Sequence, residues 1–170
     1  MVKKVTGSQY KTAWYGLALA RVLLGFVFLW AFLDKTFGLG LSTAAEKAWV
    51  NGGSPTTGFL TMGVNPESPF AAFFTGLAGN GLVDWLFMLG LLGVGVALIL
   101  GIALRVAAVA GTLLMVLMWA ALIPLDNNPL IDDHIVYAVV LWVIAAGRRE
   151  FSLAKAWTSL DFVKKNPWIW

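Results

Sequence analysis

The chain has 170 residues, 59% of them hydrophobic and only 12% charged, with a net charge of +3. A soluble domain carries about 25% charged residues, so one domain of this length holds more apolar surface than a single core can hide, and the excess must face lipid. There is no cysteine and one histidine, which excludes thiol–disulfide exchange, persulfide carriage, iron–sulfur ligation and covalent haem attachment through this chain's own residues, and a bis-histidine haem site within one copy. No haem, flavin or metal site is evident: a zinc site would rest on His134 and carboxylates alone.

Four apolar runs read as membrane-spanning helices. The first, Trp14–Leu33, is too long for the apolar stretch of a signal peptide, and no small-residue cleavage pattern follows it. The second is Leu82–Leu104 and the third Val106–Ile123, with Arg105 in the tight turn between them. Each of these three is long enough to cross roughly 30 Å of hydrocarbon. The fourth, Ile135–Gly147, is short by itself and reaches a span, 132–147, only if Asp132, Asp133 and His134 form its first turn. The runs are continuous rather than alternating, so they are helices rather than barrel strands. The expectation is an all-α fold: an integral membrane four-helix bundle, a single domain over 1–170.

Lysine and arginine set the orientation. Lys3, Lys4 and Lys11 precede the first run, Arg105 lies between the second and third, and Arg148, Arg149, Lys155, Lys164 and Lys165 follow the fourth. Only Lys35 and Lys47 fall on the other side. The positive-inside rule then puts both termini and the tail 148–170 in the cytoplasm, with the chain in the plasma membrane. Trp14, Tyr15, Trp157, Trp168 and Trp170 suit the inner interface, and Trp85 and Trp119 the outer one. The basic residues are a topogenic signal, not a nucleic-acid patch. Gly93, Ala97 and Gly101 form a small-xxx-small stripe, as do Ala107 and Gly111; such stripes allow close backbone approach, within the bundle or in a homo-oligomer.

Residues 36–80 form the one long outer loop. Thr43-Ala44-Ala45-Glu46 reads as a capping box opening a short helix to Val50, stopped by Asn51-Gly52-Gly53. Ser68-Pro69 opens a second, Phe70–Ala78, stopped by Gly79. That second helix is apolar nearly all round and too short to cross a bilayer. It is either a lid over a pocket or a plug covering helix ends. After the fourth run, Ser152–Ser159 reads as an amphipathic interfacial helix.

The topology gathers polar groups at the outer ends of the runs: Asp34, Lys35, Asp84, Asp126, Asn127, Asn128, Asp132, Asp133 and His134. Single carboxylates there are explained as helix caps and dipole partners. The block Asp132, Asp133, His134 and Tyr137 is more: at spacings of three and four it joins a proton acceptor, an imidazole and a phenol donor. Arg21 lies inside the first run; it either snorkels to the inner headgroups or turns inward to hold an anion or a carbonyl oxygen. Lys35, fourteen residues on, projects from nearly the same face.

Several segments carry a resemblance. They are Leu29-Trp30-Ala31-Phe32-Leu33-Asp34-Lys35 with Phe37-Gly38-Leu39-Gly40, then Asn51-Gly52-Gly53-Ser54-Pro55-Thr56, Asp84-Trp85-Leu86-Phe87, and Asn128-Pro129-Leu130-Ile131-Asp132-Asp133-His134-Ile135-Val136-Tyr137. Over nearly its whole length the chain resembles the DoxX/DoxD family of small four-helix membrane proteins. The resemblance implies quinone-linked redox chemistry: the DoxD member is the large subunit of a thiosulfate:quinone oxidoreductase, paired with a small partner subunit, and other members are tied to thiol and oxidant stress. On that expectation a menaquinone or ubiquinone is the substrate, taking electrons from a reduced-sulfur donor such as thiosulfate directly or through a partner. His134, Asp132, Asp133 and Tyr137 are then the catalytic candidates, and Arg21, Lys35, Asp34, Trp30, Trp85 and Asn128 the quinone-binding ones. The alternative is a non-catalytic scaffold that recruits soluble redox proteins.

Overall fold

The computed structural model describes residues 7–126 and 128–169, and among these it is all-helical, with no strand. Lys3, Lys4, Asn127 and Trp170 lie outside the described residues. The first helix, α1, is Gly7–Phe37. At 1.5 Å per residue it is about 46 Å long, well beyond the apolar run that nucleates it. Helix α2 is a short Ala71–Gly76. Helix α3 is Gly81–Leu100, α4 is Leu104–Leu122 and α5 is Asp133–Ala146. Two short helices close the chain, α6 at Ala154–Ser159 and α7 at Asp161–Lys165.

Three helical segments, Tyr10–Phe37, Gly81–Leu100 and Leu104–Leu122, are long and apolar enough to cross a membrane by length and composition. Helix α5 is apolar but has 14 residues even with Asp133 and His134 in its first turn, about 21 Å, which is less than the hydrocarbon thickness.

Helix α1 packs chiefly on α3, α3 on α4, and α4 on α5, while α5 touches α1 more lightly. Two ends result. The loop end carries the C-termini of α1 and α4, the N-termini of α3 and α5, and the segment 38–80. The tail end carries the turn between α3 and α4, and residues 147–169.

Small residues set the helix spacing. A Cβ at Gly95 would lie 2.8 Å from the Leu29 backbone nitrogen, and one at Gly25 would lie 2.9 Å from Leu98 Cβ. On α4, a Cβ at Gly111 would meet Leu141 at 2.6 Å and Val94 at 3.3 Å. Of the stripe residues, Gly111 and Gly101 are at close approaches, and Ala97 and Ala107 are buried. On α3 the contact residue is Gly95, whereas Gly93 points outward into open space. The core so formed includes Leu24, Phe28, Met88, Leu98, Leu141 and Ile144. Dispersion between close-packed chains favours this arrangement even against lipid, which is as apolar as leucine. The periphery is equally apolar: Leu19, Leu23 and Phe26 of α1, Leu86 and Leu89 of α3, Leu113 of α4 and Val139 of α5 are all more than half exposed. So extended an apolar surface is suited to lipid contact rather than water.

Several boundaries differ from the sequence expectation. Helix α3 stops at Leu100, not Leu104, because Gly101 takes a left-handed φ of +68° and its N–H turns back to the Leu98 carbonyl at 3.2 Å. Ala103 is also left-handed, at φ +46°, so Arg105 enters the first turn of α4 instead of forming the connection. The helix expected from Thr43 to Val50 is broken into two single 3-10 turns, Ala45–Lys47 and Trp49–Asn51, by the extended Ala48 between them. Its capping box does not form, because Thr43 engages Asp34. Gly53 then tucks under the broken turns, where a Cβ would sit 2.1 Å from the Lys47 carbonyl oxygen. The second loop helix is also shorter than Phe70–Ala78. Its start is held by Ser68, whose hydroxyl accepts from Phe70 N at 3.2 Å and donates to the Ala120 carbonyl at 2.9 Å. Phe74 of α2 is buried with Leu60, Val64 and Ala121, so this helix covers the end of α4.

Candidate functional site

The polar groups of the loop end divide into those that build the loop and those that open onto solvent. Asp34 and Asp84 build it. Asp34 is fully buried and accepts from Leu41 N at 3.3 Å, Ser42 N at 3.2 Å and Ser42 Oγ at 2.6 Å. Its oxygens are committed to the turn after α1 and are not presented to a ligand. Asp84, in the first turn of α3, accepts from Ser54 Oγ at 2.9 Å, Thr56 N at 3.2 Å and Thr56 Oγ1 at 2.5 Å. It clamps the loop onto the bundle. The sequence does not single out Ser42, and Ser54 and Thr56 enter it only within a motif, with no role as partners of Asp84. Their signal was present only as short hydroxyl-bearing stretches beside glycine and proline, without an indication of which carboxylate they meet.

Asp132 and His134 form a pair. Asp132 is the N-cap of α5, its Oδ1 accepting from His134 N at 3.1 Å and Ile135 N at 3.3 Å. Its other oxygen, Oδ2, lies 2.7 Å from His134 Nδ1. One carboxylate therefore ends a helix and orients an imidazole. With the Nδ1 proton directed at the carboxylate, Nε2 is the basic nitrogen. Both side chains are about one-fifth exposed, at 21% for His134 and 19% for Asp132, which gives them a route to bulk protons.

Asp132 also lines a cleft of about 540 Å³ between residues 62–66, the end of α4 and the segment leading to α5. Asp126, Asp133, Asn128 and Asn65 share its wall. The wall is held by hydrogen bonds. Asn128 Oδ1 accepts from Leu130 N at 3.0 Å and Ile131 N at 2.9 Å, and Trp119 Nε1 donates to the Leu130 carbonyl at 2.9 Å. Across the cleft, Asn65 N donates to the Ala121 carbonyl at 3.0 Å and Asn65 Nδ2 to the Pro124 carbonyl at 2.7 Å.

The remaining candidates are not gathered there. Tyr137, one turn beyond His134, packs half-buried against the main core. Lys35, His134 and Tyr137 do not line the cleft, nor do Trp30 and Trp85. Trp30 packs on Phe26 with ring centroids 5.9 Å apart, along the outer face of α1. Trp85 meets Trp49 of the loop edge-on at 4.5 Å.

Arg21 belongs to the opposite end. Its guanidinium is buried and donates to the carbonyls of Leu98, Ile99, Glu150 and Phe151. Of the two roles open in the sequence, it takes the inward one, holding carbonyl oxygens. Fourteen residues at 1.5 Å place it about 21 Å from Lys35 along α1, so the two cations cannot share one small ligand.

No protein-family model, curated protein or solved structure matches this chain.

Proposed function

We propose that the chain is a four-helix integral membrane protein of the plasma membrane with both termini in the cytoplasm, and that it delivers protons to a membrane quinone at the loop end, on the outer face. The observation that carries this reading is the Asp132–His134 pair, 2.7 Å apart, of which Asp132 lines a 540 Å³ cleft and His134 does not. Reducing a quinone to a quinol takes two electrons and two protons. A carboxylate-held imidazole near an apolar bundle is suited to hand protons to a carbonyl oxygen whose ring lies at the interface. The reading is supported by the shortness of α5, 14 residues with Asp133 and His134 in its first turn, since a helix shorter than the hydrocarbon thickness is suited to an end within reach of a ring whose tail stays in lipid.

The electron donor is a reduced-sulfur compound such as thiosulfate. Asp126, Asp132 and Asp133 give the cleft an acidic lining that opposes an approaching dianion. The reading therefore places a small partner subunit or a soluble redox protein between donor and quinone. The DoxX/DoxD resemblance supports the same chemistry. A second reading, a non-catalytic scaffold for redox proteins, is favoured by the exposed apolar side chains at this end: Leu41, Met62 and Leu130 are 77%, 79% and 66% exposed.

Purification in mild detergent followed by mass spectrometry for menaquinone or ubiquinone tests the redox reading. Wild type is expected to retain quinone, and His134→Ala to retain about tenfold less. No quinone in either protein, together with no quinone reduction when thiosulfate is supplied, would leave the scaffold reading standing.

A further inference from the structure

The turn that follows α5 holds a phenylalanine in a backbone conformation that favours glycine. Phe151 has φ +50°, in the left-handed region where a bulky side chain is strained. Its ring is 78% exposed. The ring meets Tyr15 of α1, with centroids 5.5 Å apart and planes tilted by 38°. Tyr15 is itself 51% exposed. Two aromatic rings from distant parts of the chain thus stand together on the outside of the tail end.

The strained turn is held from three sides. Arg21 Nη2 donates to the Phe151 carbonyl at 2.9 Å and to the Glu150 carbonyl at 3.2 Å. Ser152 Oγ donates to the Arg149 carbonyl at 2.6 Å. Leu153 N donates to the Leu100 carbonyl at 2.8 Å. Strained backbone persists where its surroundings over-determine it. A glycine would form the same turn without the strain, so what the phenyl group adds lies in where its ring is put. Tyr15 continues along α1 into Leu19, Leu23 and Phe26, all more than half exposed, at helical spacings of four, four and three. That stripe is suited to lipid. Beyond the rings come Glu150 and Ser152 of the polar turn. The pair therefore sits where an apolar stripe gives way to polar chain, the place that aromatic side chains take at a membrane–water interface.

We propose that Phe151 and Tyr15 form an aromatic wedge that inserts into the lipid interface at the tail end, the inner leaflet in the proposed orientation, and holds the tail turn against it. The rings enter about 5–10 Å into the boundary between headgroups and acyl chains. Arg21 passes the anchor to the bundle, since the guanidinium that holds the Phe151 carbonyl also holds the carbonyls of Leu98 and Ile99 at the end of α3. The wedge thereby fixes the depth of α1, α3 and the tail together. The proposal rests on the chain spanning a bilayer and is independent of the quinone reading.

The chain has no cysteine, so one introduced cysteine carries one nitroxide spin label. The test uses the full-length protein in liposomes of phosphatidylcholine and phosphatidylglycerol, labelled at Phe151→Cys or Tyr15→Cys. Leu23→Cys is the lipid reference, and Asp161→Cys, at a side chain 88% exposed, the water reference. Collision with dissolved oxygen against collision with a water-soluble nickel chelate reads the depth. Labels at 151 and 15 are expected to favour oxygen, at one shared depth shallower than the label at 23. Asparagine tolerates the left-handed conformation, so Phe151→Asn keeps the turn and removes the ring. Amide exchange over residues 149–157 in liposomes is expected to rise about tenfold in Phe151→Asn, and Phe151→Trp to keep the wild-type rate. A label at 151 open to nickel would overturn the proposal, as would one shielded from both oxygen and nickel, which marks a face covered by protein. Wild-type exchange in Phe151→Asn would overturn it too. A label at 23 open to nickel would overturn the bilayer reading and the wedge with it.

Discussion

Replacing Arg21 by leucine is expected to destabilise the protein by about 3–5 kcal/mol, because several buried carbonyls lose a charged donor at once. The guanidinium is 2% exposed and reaches Ile99 O at 3.0 Å, Glu150 O at 3.2 Å and Phe151 O at 2.9 Å, besides Leu98 O. Leu98 and Ile99 end α3, where carbonyls lack intrahelical partners and carry the negative end of the helix dipole. Leu98 O keeps the Gly101 N–H at 3.2 Å; the other three depend on the arginine more heavily. The turn itself is shaped to the cation: a Cβ at Gly101 would lie 2.7 Å from Arg21 Nη1 and 2.3 Å from Ser152 Cβ. Lysine is a poor substitute, since one ammonium has no planar fork to bridge α3 and the 150–151 segment. Thermal unfolding in detergent is expected to fall by roughly 10 °C in Arg21→Leu, with less than half recovered in Arg21→Lys. An unchanged melting temperature in Arg21→Leu would contradict the capping role.

The second large effect is expected at Asp84. Asp84→Ala removes the acceptor shared by Ser54 Oγ, Thr56 N and Thr56 Oγ1, two of the donors being on a residue that is 5% exposed. Leaving them unpaired costs about 2–4 kcal/mol. The cost is expected to appear locally, as faster amide exchange and proteolysis through residues 41–66, because the Trp49–Trp85 contact and the Gly53 tuck depend on the same clamp. Asp84→Asn keeps one acceptor oxygen and is expected to retain about half the protection. Loss of protection spread evenly over α3 and α4, with the loop unaffected, would show that Asp84 is not the clamp.

Much of this was legible in the residues. The three long apolar helices follow from runs that no soluble fold would tolerate. A cap by Asp132 or Asp133 follows from acidic residues placed just before a helical run; the contact of Asp132 with His134 does not, since the spacings link Asp133 and His134 to Tyr137 instead. What was not legible depended on distant partners. Asp34 and Asp84 read as members of an open polar mouth, yet each is consumed by hydroxyls and amides up to 30 residues away in sequence. For Arg21 the sequence leaves snorkelling and an inward hold on an anion or a carbonyl oxygen both open, because its acceptors are backbone carbonyls, which every residue has and no sequence pattern marks. The capping box at Thr43 failed for a similar reason, its threonine being drawn to Asp34. Gly95 outranked Gly93 as the packing glycine because helix phase, not the presence of a small residue, decides which side meets Leu29.

The central claim, that a quinone ring rests beside the Asp132–His134 pair, is tested most directly by photolabelling the protein in liposomes with an azidoquinone and mapping the adduct by peptide mass spectrometry. The label is expected in residues 62–66 and 119–137, to be displaced by excess unlabelled quinone, and to fall about tenfold in His134→Ala. Labelling confined to the tail end, or labelling of the loop end that excess quinone does not displace, would contradict it.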